Sequence, residues 1–297
     1  MKTVDVHTRV ALKNILFTTD FSTAADAALP FAIHIARRYG AKLHGVHVRP
    51  FDLYAGVPPA SWPVLAEEAE KAIKQNTQRL EDELREVPHN VVVGQGDIWE
   101  VLAAVIQEND IDLIVLGTRG RTGIEKMLLG SVAEEIFRRA SCPVMSVGPH
   151  ISVDPAHAVE MREILYATDF EPASLAAMPY AVSLAEENQA CLTLLHVCQN
   201  PKAGDLIDPA QYIDPMLRRL ASLVPDEAGL WCRPECLVEK GDPAQKILEV
   251  AEKRRADLIV LGVRGGTGVP GAATHLGRAL AHKIVVGAHC PVLTVRG

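Results

Sequence analysis

One stretch of the chain spaces glycines, a serine and cations as a bound anion would require. It reads Gly117-Thr118-Arg119-Gly120-Arg121-Thr122-Gly123 and continues to Leu129-Gly130-Ser131-Val132. Glycines let backbone approach a ligand without Cβ clashes. Several N–H groups can then converge on an anion, helped by the amino terminus of the helix expected from Ser131. Ser131 is expected to cap that helix and to offer its hydroxyl to the same anion. Arg119, Arg121 and Lys126 make the loop locally positive in a chain whose formal net charge is −7. The chemistry is that of a phosphate site. It is not a P-loop, because no G-x-x-x-x-G-K-[ST] occurs. Nor is it a dinucleotide fingerprint, because the first strand-to-helix turn reads Asp20-Phe21-Ser22.

The elements that must position this loop emerge when the chain is compared with itself. Lys13-Asn14-Ile15-Leu16-Phe17-Thr18-Thr19-Asp20-Phe21 returns as Arg162-Glu163-Ile164-Leu165-Tyr166-Ala167-Thr168-Asp169-Phe170, at an offset of 149. Pro30 and His47-Val48 match Pro179 and His196-Val197 at the same offset. Asp112 to Gly117 returns as Asp257 to Gly262, and Cys142-Pro143-Val144 as Cys290-Pro291-Val292. The protein is a duplication, with domains at 1–149 and 161–297 joined by a linker at 150–160.

Each half alternates short apolar runs, the mark of strands buried on both faces, with helical patterns. In the first half, strands are expected at Ile15–Thr18, Leu43–Val48, Val91–Val93, Leu113–Leu116 and Val144–Val147. Ser22 is expected to cap the first helix and Gly40 to stop it, with Pro30 kinking it and Pro179 doing the same in the second copy. A charged, solvated helix follows at 65–86. Asp97 and Glu100 form a capping-box pattern ahead of the next helix. This alternation implies an α/β fold of two tandem doubly wound domains, each a five-stranded, mainly parallel sheet flanked by helices. Such sheets bind ligands at the carboxyl ends of strands, near the switch in strand order. That rule selects Thr18-Thr19-Asp20, Val48-Arg49 and the loop from Gly117.

Composition supports a globular reading, with 48% hydrophobic and 23% charged residues among 297. An acidic balance spread over both halves argues against a nucleic-acid binder held by phosphate neutralisation. No apolar run is long enough for a spanning helix, and the amino terminus lacks a signal-peptide core, so a cytoplasmic protein without a membrane partner is expected. The six cysteines are too few for a disulfide framework. Cys232-x3-Cys236 sits at the edge of zinc spacing with Pro234 between, and reads as buried free thiols rather than a metal site. Cys142 and Cys290 read as packing residues, and His47 and His196 as strand residues at the sheet surface. Met127-Leu128-Leu129 fits either a dimer contact or a lid.

Gly117-x2-Gly120-x9-Gly130-Ser131 after an Asp-Leu-Ile-Val-Leu strand resembles the ATP-binding pattern of the universal stress protein family. So do the strand ending in Thr19-Asp20, the His47-Val48 strand end and the closing Cys142-Pro143-Val144. The resemblance spans nearly all of both halves and implies a tandem, Rossmann-like protein of stress or signalling function. It implies that ATP, alone or with Mg, is the ligand. Thr19 and Asp20 would sit at the ribose or adenine end, and Val48 would meet adenine through its backbone. Gly117, Thr118, Arg119, Gly120, Gly130, Ser131 and Val132 would surround the ribose and phosphates. The resemblance also implies that Val144–Val147 and Val292–Val295 pair as an internal pseudo-dimer, and it allows a further homodimer. No general base, Walker-type lysine or acidic metal cluster accompanies the loop, so the expectation is a nucleotide binder, with slow ATP hydrolysis at most. The alternatives are a slow ATPase and an interaction protein with a vestigial site.

The second half departs from the pattern. Gly262-Val263-Arg264-Gly265 is kept, but eleven residues separate Gly265 from Gly277, the next residue is Arg278, and Pro270 interrupts the loop. ATP is therefore expected in the first half, with weak or no binding in the second. Asp20 and Asp169 could each instead cap the helix that follows.

Overall fold

The computed structural model describes residues 10–49, 61–118, 129–151, 159–198, 209–225, 232, 234–264 and 272–297. Ten strands form one sheet. The first copy supplies β1 (Asn14–Thr18), β2 (Lys42–Arg49), β3 (His89–Gln95), β4 (Leu113–Gly117) and β5 (Val144–Val147). The second supplies β6 (Glu163–Ala167), β7 (Cys191–Cys198), β8 (Glu235–Lys240), β9 (Leu258–Val263) and β10 (Val292–Arg296). The order is β3-β2-β1-β4-β5-β10-β9-β6-β7-β8. All neighbours are parallel except β5 and β10, which run antiparallel with Val292 opposite Ser146 and Thr294 opposite Val144. The strands that close the two copies thus pair with each other, and the two domains form one continuous sheet.

Helices cover both faces: α1 (Thr23–Tyr39), α2 (Trp62–Leu84), α3 (Ile98–Glu108) and α4 (Ser131–Arg139) in the first copy, then α5 (Pro172–Leu175), α6 (Met178–Asn188), α7 (Pro209–Ala221), α8 (Pro243–Arg254) and α9 (Ala272–Gly287). Ser22 caps α1 by accepting from Ala25 N, and Gly40 ends it at φ 63°, a left-handed conformation that glycine adopts without strain. Asp97 and Asp242 cap α3 and α8 in the same way. α1 runs unbroken through Pro30. Its counterpart in the second copy is not kinked but split, because Pro179 falls in the first turn of α6, where the missing N–H costs nothing. α2 buries only Leu80 and Leu84, as a largely solvated helix would.

On one face, α1 and α6 share a core that crosses the boundary between the copies, from Ile15, Phe17 and Ile35 to Tyr166, Leu184 and Leu293. Polar contacts cross there too: His34 to Asn188 at 2.6 Å and Tyr39 to Ser183 at 3.1 Å. The other face keeps two clusters, one per copy, bridged by Leu129 and Phe137, which pack against both. Burial pushes the thiols of Cys142 and Cys290 up to about 11 and about 12, so both are inert packing groups. No helix among the described residues is long and apolar enough to cross a membrane.

Candidate functional site

Strand order in the first copy reverses beside β1, which lies between β2 and β4. Chain leaving β1 and β4 there diverges to opposite faces and opens a crevice at their carboxyl ends. A cleft of about 130 Å³ lies at that point. Eight of the ten residues singled out above line it: Thr19, Asp20, Val48, Gly117, Thr118, Gly130, Ser131 and Val132. Arg119 and Gly120, with Arg121, Lys126 and Met127-Leu128, lie outside the described residues. Val46, Ile98, Leu102, Leu116 and Ile136 add an apolar wall that the motifs did not mark.

The Asp20 wall is built by a tight turn. Thr19 Oγ1 accepts from Phe21 N at 2.9 Å, and Asp20 Oδ1 accepts from Ser22 N at 3.0 Å. Phe21 sits at φ 58°, a left-handed conformation that a bulky residue adopts only when its surroundings impose it. His47 imposes it. Its Nδ1 donates to Thr19 O at 2.9 Å, and its ring lies 4.5 Å from that of Phe21. His47 is therefore a buried strut under the turn, not a residue of the sheet surface, and His196 does the same for Thr168 and Phe170. The pairing was visible in the sequence as two motifs sharing one offset. Asp20 is not the cap of α1, since Ser22 holds that place.

The opposite wall is the amino terminus of α4. Gly130 N donates to Thr118 O at 2.9 Å, so the two ends of the glycine loop are pinned together. Gly130 is itself the N-cap, with no side-chain cap bond, and Ser131 is the first helical residue; the cap expected of Ser131 is not made. The first intrahelical bond is Glu134 N to Gly130 O, which leaves the N–H groups of 131–133 ahead of the ladder. Gly117 has a different reason to be glycine. A Cβ there would lie 2.6 Å from Ala24 C and 2.9 Å from Ala25 N in the first turn of α1. Gly262 faces the same obstruction from Ala173 and Ser174. These two glycines recur because a helix backbone presses on the strand end.

Among the described residues, the second copy keeps the turn and differs in what surrounds it. Phe170 N donates to Thr168 Oγ1, and Glu171 N donates to Asp169 Oδ1, as in the first copy. Ser174, where the first copy has Ala25, then donates to Asp169 Oδ1 at 2.6 Å and lies 2.9 Å from Thr168 Oγ1. Asp169 is thereby tied into its own helix start. α9 begins at Ala272, ahead of Gly277 and Arg278, so those residues fall inside a helix rather than before one. α9 has 16 residues against 9 in α4, and the extra turns move its amino terminus by about 10 Å at 1.5 Å per residue.

The model of the universal stress protein family matches residues 11–148 and again 160–296. Universal stress protein MJ0531 of Methanocaldococcus jannaschii is 32% identical over 140 residues, covering 46% of this chain and 81% of that protein. Universal stress protein Rv2005c of Mycobacterium tuberculosis is 25% identical over 295 residues, covering 95% of this chain and 96% of that one. A solved universal stress protein from Archaeoglobus fulgidus shares the fold over 95% of this chain and 98% of its own, with a TM-score of 0.68 at 20% identity.

Proposed function

This chain belongs to the universal stress protein family, as two tandem copies, and we propose that its first copy binds one ATP in the cleft between Asp20 and α4. The observation that carries the reading is the polarity of that cleft. Its lining combines one carboxylate, several apolar side chains and the N–H groups of a helix start. A carboxylate accepts sugar hydroxyls and would repel phosphates, so Asp20 takes the ribose end. The apolar wall of Val46, Ile98 and Leu102 accommodates a base, with the Val48 backbone at its edge. The N–H groups of Ser131 and Val132, with the Ser131 hydroxyl, take the phosphates, and Thr118, Arg119 and Gly120 are proposed as further phosphate contacts. Gly130 has φ −62° and ψ 149°, a conformation open to any residue, so backbone strain does not require glycine there, and the proposal assigns it to close approach of the phosphates.

Binding rather than turnover is the proposed output, for a nucleotide-dependent stress or signalling role. Among the described residues lining the cleft, Asp20 is the sole ionisable group, and the proposal gives it to the ribose rather than the phosphates. Among the described residues no cluster of three His, Cys, Asp or Glu could hold a metal ion, so Mg2+ would arrive on the triphosphate. Calorimetric titration of ATP into the full chain tests the reading, together with chromatography of any nucleotide released on denaturation. One site per chain is expected, lost in Gly130→Leu while the fold is kept. No binding by the wild type, or wild-type affinity in Gly130→Leu, refutes it.

A further inference from the structure

The end of α4 remote from the cleft is held by the other copy. Arg296, the last residue of β10, donates from Nη2 to Phe137 O at 2.8 Å and to Arg138 O at 2.9 Å. Ala140 N closes the helix on Ile136 O, so the carbonyls of Phe137 and Arg138 are among those that the helix itself leaves without a donor. A guanidinium there also sits at the negative end of the helix dipole. Phe137, and Leu129 just before the helix, pack on the apolar cluster of the second copy. Both ends of the nine-residue helix therefore lean on residues from beyond their own domain.

This support is given in one direction. At the offset of 148 that relates Cys142 to Cys290, the counterpart of Arg296 is Gly148, and the counterpart of Phe137 is Val285. A Cβ on Gly148 would lie 3.0 Å from Val285 O and 3.5 Å from Ala288 O. The first copy thus reaches the matching end of α9 with no side chain to offer. The seam is two-fold in its backbone and one-sided in its chemistry.

We propose that Arg296 is a positioning residue for the nucleotide site: the second copy fixes α4 against the cleft of the first and so sets its affinity. The proposal rests on the reading of that cleft as an ATP site. α4 is about 13 Å long at 1.5 Å per residue, so a shift of its carboxyl-terminal turn is carried to the N–H groups of Ser131 and Val132. Coupling of this kind is reciprocal: a phosphate at one end of α4 tightens the hold of Arg296 at the other. A duplicated copy whose own loop no longer fits the pattern thereby keeps a part in the reaction of the first copy with its ligand.

The test uses the full chain and two variants, Arg296→Met and Arg296→Lys. Hydrogen exchange is followed without nucleotide, and ATP affinity by calorimetry. Arg296→Met should raise exchange in α4 above that in the other helices and weaken ATP binding about tenfold. Arg296→Lys, which keeps the cation, should recover part of that affinity. Unchanged α4 exchange in Arg296→Met overturns the anchoring, and so does a rise spread evenly over both copies. Wild-type affinity in Arg296→Met overturns the effect on the site. A wild-type chain that binds no ATP refutes the cleft reading and the affinity half of this proposal with it, while the exchange result still decides whether α4 is anchored.

Discussion

Gly117→Ala should cost both stability and ligand binding, and its counterpart Gly262→Ala only stability. The added methyl of Gly117→Ala would stand 2.6 Å from Ala24 C and 2.9 Å from Ala25 N. Ordinary contact begins near 3.4 Å and Ala24 O lies nearer still than Ala24 C, so the first turn of α1 must retreat by about 1 Å. That obstruction is backbone and cannot rotate away. Overpacking of this kind costs about 1–3 kcal/mol, or about 2–5 °C in melting temperature for a chain of this size. The retreat falls on Ala25, which lines the cleft, five residues after Asp20. The carboxylate and the α4 N–H groups then no longer fit one ligand, and ATP affinity should fall by about tenfold or more. In Gly262→Ala the clash is with Ala173 and Ser174, 2.5 Å from Ala173 C, and far from the cleft. Thermal denaturation and calorimetric titration of both variants separate the two effects. Gly117→Ala with wild-type melting and affinity would refute the packing argument; equal loss of affinity in Gly262→Ala would refute the placement of the site.

Two further outcomes follow from particular contacts. Burial holds His34 and His44 below the usual histidine value of 6.5, reinforced by Arg38 and Arg37 beside the first and by Lys42 beside the second. For both, the unfolded chain takes protons more readily, so stability present above about pH 6.5 is lost as pH falls. His89, raised chiefly by its bond to Val87 O and also by Glu81, contributes the other way, below that pH. With two groups against one, the urea midpoint should drop between about pH 7.5 and 5.5, and His44→Gln should flatten the drop; a wild-type midpoint that rises on acidification contradicts this. Ser174→Ala removes the hydroxyl held by Asp169 and should cost about 1 kcal/mol by denaturation. It should leave the ATP stoichiometry at one per chain, because the start of α9 is still displaced; a second bound ATP would show that the hydrogen bond to Asp169, not the helix start, closes that copy.

Element order was legible because every strand but the edge ones is a short apolar run between cap and turn residues. Ser22, Gly40 and Asp97 marked helix ends by chemistry that acts locally. Pro179 was misread because the same residue type serves a helix interior or a first turn, and only the split between Leu175 and Met178 decides which. Ser131 was misread by one position, since whether a residue caps a helix or begins it depends on where Gly130 is held, and Thr118 O holds it. The role of His47 was missed because its partner is a carbonyl 28 residues away, and the shared offset of the two motifs ties them together without saying how. Arg296 was hidden for the same reason at a separation of 159 residues. Local chemistry reads out of a sequence; contacts made across the fold do not.

The duplication itself separates what the fold needs from what a ligand needs. Thr-Asp-Phe and its distant histidine recur in both copies, and both turns show the same bonds and the same left-handed phenylalanine. Gly117 and Gly262 recur against the same helix turn. None of these, taken alone, is evidence of a nucleotide, although they are the residues that make the repeat visible. Three of the differences between the copies bear on the cleft: Ala25 against Ser174, a helix beginning at Ser131 against one beginning at Ala272, and Gly148 against Arg296. Each difference acts on the same outcome. Ala25 has no hydroxyl such as Ser174 gives to Asp169, α4 sets its first N–H groups on the cleft lining, and Arg296 holds that helix from behind. The proposed division, with the first copy binding and the second bracing it, requires a difference at each of these three points.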